Sequence, residues 1–143
     1  MDATPSNPPA TPAARLSAAG GLAALAAGSA AVWYFDPAKA NLFPVCPLYS
    51  FTGFACPGCG LTRGFHALFN GDIITALDYN ALIPLFVLGF VFVAAILASI
   101  AIRGKGLIRL SASPPLLVAT LVMLLTFGVL RNLPFYPLTL LYP

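Results

Sequence analysis

Between Ala81 and Ile102 the chain carries no charged residue and consists largely of Leu, Val, Phe, Ile and Ala. A hydrocarbon core takes about 20 consecutive apolar residues at ~1.5 Å rise each, so this run alone predicts a transmembrane helix over residues 81–102. The rest of the composition agrees: 59% of the 143 residues are hydrophobic and 8% are charged, with a mean hydropathy of +0.91. This is the balance of a membrane protein.

Two further segments have the length and character of spans. Residues 15–35 are rich in Ala and Gly and end in Trp33-Tyr34-Phe35, an aromatic belt of the kind that sits at headgroup level. That ending favours an uncleaved anchor over a signal peptide with Arg15 in its n-region. Residues 111–131 open with Pro114-Pro115, well placed in a first helical turn, where N–H groups lack intrahelical partners anyway. The fold class expected is an all-α membrane protein with three transmembrane helices (15–35, 81–102 and 111–131) and a short amphipathic helix in an extracytoplasmic loop. Residues 1–14, punctuated by Pro5, Pro8, Pro9 and Pro12, read as a disordered cytoplasmic tail. Residues 132–143, too short to cross and too aromatic to be solvated, read as an interfacial tail.

Orientation follows from the cations. Arg15 precedes the first span, and Arg103, Lys105 and Arg109 crowd the link at 103–110. Positive-inside bias places that link and the N-terminus in the cytoplasm. The long segment at 36–80 and the C-terminus then lie outside, in a multi-pass protein of the cell membrane. Topology accounts for the net charge of +3, and no run of cations interleaved with aromatics exists to follow a phosphate backbone. No nucleic acid is expected as a partner; the expected partners are the lipid bilayer and a membrane protein or lipid headgroup.

The loop at 36–80 holds the unusual residues. Asp36-Pro37 breaks the first helix, and Asn41–Phe54 reads as an apolar loop. Gly60–Asn70 has a helical period that Gly71 ends, with Cys59, Arg63 and His66 spaced i, i+4, i+7 in one polar stripe. Asp72 offers an N-cap for another helix, expected to continue into the second span with a kink at Pro84.

The stretch Cys56-Pro57-Gly58-Cys59-Gly60 puts two thiols close to Arg63 and His66, and Cys46-Pro47 supplies a third. Together with Tyr49, Gly53, Thr62, Gly71-Asp72, Ala76-Leu77, Asn80, Arg131-Asn132 and Pro134, these residues resemble a bacterial membrane family catalogued as domain of unknown function 2752. The resemblance covers roughly residues 42–137 and implies a multi-span membrane protein, with no activity attached.

Three readings of the cysteines stand side by side. Cys56 and Cys59 match a zinc-ribbon knuckle, and Cys46 with His66 would complete a Cys3His set for zinc. In an oxidising compartment the thiols would instead pair, as a bridge between Cys56 and Cys59 or from Cys46 to one of them. Alternatively, Cys56 and Cys59 would be catalytic in a membrane thiol–disulfide oxidoreductase, their pKa lowered by the helix N-terminus and Arg63. In a further arrangement the thiols only hold a turn, and Arg63, His66, Asp72, Asn80, Arg131 and Asn132 form a binding or structural polar site. Arg131 is expected to pair with a helix C-terminus and with Asp72 or Asp78. The leading expectation is a structural or accessory membrane protein with a cysteine-stabilised outer loop, the oxidoreductase being the alternative; whether the chain is an enzyme stays open.

Overall fold

The computed structural model describes residues 10–39, 43, 46–106, 114–136 and 138–141. Residues 1–9 of the expected tail, 40–42 and 44–45 of the loop, 107–110 of the basic link with Arg109, the start of the third expected span at 111–113, and 137, 142 and 143 lie outside the described residues. The described chain is helical, with no strand: α1 (Pro12–Tyr34), α2 (Pro47–Thr52), α3 (Leu61–Phe69), α4 (Ile73–Tyr79), α5 (Ile83–Arg103), α6 (Pro114–Leu130) and a 3-10 turn over Leu138–Leu141. They form two compact units, Met1–Ser29 with Val87–Leu110, and Ala30–Phe86 with Ser111–Pro143.

In the first unit α1 begins at Pro12, earlier than the expected end of the tail, because Thr11 caps it: its Oγ1 accepts from the Ala14 N–H at 3.2 Å. Arg15 reaches the far end of α5, donating from Nε to the Ala101 carbonyl at 3.1 Å and from Nη2 to the Ile102 carbonyl at 3.0 Å. A cation on the last, otherwise unsatisfied carbonyls of a helix also meets the negative end of its dipole. The Ala10 amide adds a bond to the Gly104 carbonyl at 2.7 Å. The start of α1 and the end of α5 are thereby tied together, and the two helices run antiparallel.

Both α1 and α5 are long and apolar enough to cross a membrane, and many of their large apolar side chains are exposed, Leu88, Val91 and Ile102 among them. At 17 residues α6 is shorter, ~26 Å against a hydrocarbon core of ~30 Å.

In the second unit the expected continuous helix from Asp72 through Pro84 is broken at Asn80, which is extended at φ −161° and ψ 112°. Pro84 falls in the first turn of α5, where a missing N–H costs nothing, so it needs no kink. The α3–α4 corner is a Schellman stop that doubles as a start. Gly71 N–H bonds the Leu68 carbonyl and Asp72 N–H the Ala67 carbonyl, after which Asp72 caps α4 by accepting from the Thr75 N–H at 3.0 Å. Gly64, Ala67 and Ala76 are buried in this pair, small residues that let two short helices approach. Where an apolar loop was expected, α2 forms: Cys46 occupies its N-cap, Pro47 its first position, and Gly53 its left-handed C-cap.

Candidate metal centre

Cys46 leads into α2, while Cys56 and Cys59 flank a turn closed by the Cys59 N–H on the Cys56 carbonyl at 3.0 Å. Pro57 presets the dihedral the turn requires. Gly60 then leaves it at φ 80° to start α3, a conformation in which a Cβ would strain. The Cys56 N–H points at the Cys59 sulfur, 3.2 Å away. The Cys46 and Cys59 sulfurs each lie 3.3 Å from that of Cys56, and all three fall within 4.8 Å of one another.

These separations correct the bridge expected from an oxidising compartment. A disulfide needs ~2.05 Å, and Cys46, Cys56 and Cys59 are free thiols. The turn converges the sulfurs on a shared point with no two in bonding distance. Around a tetrahedral zinc with ~2.3 Å bonds, sulfurs stand ~3.8 Å apart, within reach of small side-chain rotations.

What fixes the turn is a set of side chains that bind its carbonyls from beneath. Asn80 is fully buried and donates from Nδ2 to the carbonyls of Pro57 at 2.8 Å and Cys59 at 3.1 Å, while its Oδ1 accepts from the Leu82 N–H at 2.9 Å. Arg131, 1% exposed, donates from Nη1 to the Cys56 carbonyl at 2.9 Å and the Cys59 carbonyl at 3.2 Å. Its guanidinium also stands 5.1 Å from the centre of the Phe127 ring. Asn132 reads the backbone of Ala55 in both directions, Oδ1 from its N–H and Nδ2 to its carbonyl, each at 2.8 Å. A buried charge is tolerated only when hydrogen-bonded, and here the carbonyl dipoles of the thiol-bearing residues supply that.

One expectation changes accordingly. Arg131 reaches the cysteine turn where Asp72 or Asp78 was expected, and the Asp72 carboxylate is engaged by Thr75, whose Oγ1 donates to it at 2.7 Å. The Asn132 amide is used on the Ala55 backbone.

The thiols are chemically unequal, though not in the expected sense. Cys46 is the acidic one, its pKa lowered to about 7 chiefly by the Tyr49 N–H in the first turn of α2 and by Cys56. Cys59 goes the other way, pushed up to about 12 by burial and then by the neighbouring thiols. The helix N-terminus and Arg63 were expected to make Cys56 and Cys59 ready thiolates; at Cys59 desolvation raises the thiol instead, which works against it as a redox nucleophile.

Of the other residues considered, Arg63 is exposed on α3 and lines, with the three cysteines, a depression of about 500 Å³. His66 is directed elsewhere, its Nδ1 2.6 Å from the Val32 carbonyl, and it is not among the ligand atoms grouped with the sulfurs. Asn80 and Asn132 were recognisable as polar residues at span ends, but nothing local to them reveals that they serve a turn 21 to 77 positions away.

Residues 46–94 match the family described as "Protein of unknown function (DUF2752)". The matched stretch holds the cysteines, α3, α4 and Asn80, while Arg131 and Asn132 lie beyond it. No curated protein and no solved structure matches the chain.

Proposed function

We propose that this chain is an accessory membrane protein whose extracytoplasmic loop is organised around one thiophilic metal ion, zinc by its ligand chemistry, held by Cys46, Cys56 and Cys59. The observation that carries the reading is the convergence of three sulfurs within 4.8 Å of one another, on a turn whose carbonyls are clamped by Asn80, Arg131 and Asn132. Soft thiolates select zinc, copper(I) or iron–sulfur chemistry over hard cations. Three thiolates and one divalent ion sum to −1, and the buried Arg131 charge is held against the backbone of the very residues that carry two of them.

In this reading α1, α5 and α6 cross the bilayer, with the N-terminus cytoplasmic and the cysteine loop and C-terminus on the opposite face. The Arg15 ties to the end of α5 support a common side for residues 10–15 and 101–106. The positive-inside rule assigns Arg15, Arg103 and Lys105 to the cytoplasm. The exposed apolar surface of α6, with Leu116, Leu117, Val118, Leu121 and Leu125 uncovered, is suited to lipid, and a ~26 Å helix spans with modest local thinning.

Elemental analysis of the full-length protein, purified in detergent without chelator, tests the centre. The expected result is about one equivalent of zinc, lost in Cys46→Ser and Cys56→Ser. Less than about half an equivalent, with all three thiols reacting freely before any chelator is added, overturns it.

A further inference from the structure

Few side chains in this sequence could supply a fourth metal ligand. The chain contains four acidic residues and one histidine. Of these, His66 Nδ1 meets Val32, Asp36 pairs with Lys39 at 3.1 Å, and Asp72 caps α4. Among the described residues no such side chain joins the three sulfurs. A closed structural zinc site takes four ligands, whereas three protein ligands leave a position for something exogenous.

The surroundings say what kind of ligand that is. The sulfurs open onto the depression of about 500 Å³, inside the ~300–1,000 Å³ range of small-molecule sites and far larger than a water needs. Its walls include the apolar Phe43 and Pro37, and Arg63 brings a cation to the rim. A metal carrying three thiolates has an overall negative charge and little appetite for a hard donor, so a soft sulfur suits the fourth position best. The guanidinium adds a fork for a carboxylate or other anionic group.

Resting on the metal reading above, we infer that the centre binds a low-molecular-weight thiol bearing an anionic group, its sulfur completing the coordination by Cys46, Cys56 and Cys59 and its anion held by Arg63. On binding, the incoming S–H bond breaks, its proton goes to solvent, and a metal–sulfur bond forms in place of a metal–water bond. No oxidant or reductant is consumed. Coordination keeps the bound thiol deprotonated at neutral pH.

Full-length protein in detergent, loaded with cobalt(II) as a spectroscopic stand-in for zinc, provides the test. Mercaptoacetate is the anionic probe and 2-mercaptoethanol the neutral one. Mercaptoacetate should raise the sulfur-to-cobalt charge-transfer absorption by roughly one third, as three thiolates become four, and should bind more tightly than 2-mercaptoethanol. Arg63→Gln, on an exposed helix face, should weaken mercaptoacetate about tenfold or more and leave 2-mercaptoethanol within about twofold. Arg63→Lys should recover part of the difference, a point charge replacing a fork. Cobalt that binds with bands unmoved by either thiol overturns this inference alone, as does an Arg63→Gln protein that treats both probes as the parent does. Failure of the parent protein to take up cobalt or zinc overturns the metal reading and this inference with it.

Discussion

Asn80 carries more of the site than any residue that touches it from outside. Its amide satisfies two carbonyls of the cysteine turn and the Leu82 amide just before α5, from a fully buried position. Replacing it by Ala removes three hydrogen bonds; Arg131 still reaches the Cys59 carbonyl at 3.2 Å, and the cost is about 1–3 kcal/mol for each group that finds no substitute. Asn80→Ala should therefore lower stability by ~2–4 kcal/mol in denaturant titrations in detergent and weaken metal binding alongside. Unchanged stability would show that the clamp is incidental. The thiols allow a second expectation, for the metal-free protein. Cys46, depressed from 9.0 to about 7, contributes stability that is full above pH 9 and lost as pH falls through 7. Cys59, raised from 9.0 to about 12, contributes stability that is full below pH 9 and lost as pH rises through 12. The thiol contribution thus peaks near pH 9. At pH 7.5 iodoacetamide should label Cys46 well before Cys59, as read by peptide mass spectrometry, and the reverse order would contradict the assigned environments.

At the scale of elements, short helices serve chiefly as holders. The α2 N-terminus presents Cys46, the α3 N-terminus follows Cys59, and the end of α6 delivers Arg131 and Asn132 to the turn between them. Contact between α6 and the turn is close at Gly128, where a Cβ would come within 3.1 Å of Pro57 Cγ and 3.3 Å of Pro57 Cδ. Gly128→Val should force the two apart, costing ~1–3 kcal/mol by overpacking. It should also reduce metal affinity by disturbing the carbonyl clamp, whereas Gly89→Val, where a Cβ meets nothing within 4 Å, should leave binding alone. Equal effects of the two substitutions on metal retention would break the proposed link between α6 and the centre.

For the whole molecule the expectations concern sidedness. A membrane-impermeant maleimide applied to intact cells should label the cysteines only after a chelator has removed the metal. A cysteine placed at Lys105 in a background lacking the native three should stay unlabelled until the membrane is opened. Labelling of position 105 from outside would invert the proposed topology. The Arg15 contacts carry a corollary: Arg15→Gln removes the charge from the last carbonyls of α5 and should loosen that end of the α1–α5 pair without altering metal content.

The sequence by itself determined that the chain is helical and membrane-suited, because apolar length and periodicity are local properties that no tertiary contact has to supply. It also showed where chemistry concentrates: a Cys-x-x-Cys turn is closed by its own Pro and Gly, and the Gly71-Asp72 corner by its own backbone. The short α2 was legible in principle from Pro47 and Gly53, but an apolar composition in a connecting segment obscured it. Only the tertiary structure decided that Cys46 joins the pair, that His66 turns to Val32, and that Asn80, Arg131 and Asn132 act on one turn. Those outcomes depend on which distant carbonyls and sulfurs are brought within hydrogen-bonding range. They also depend on burial, which raised Cys59 and is set by the packed chain rather than by neighbours in sequence.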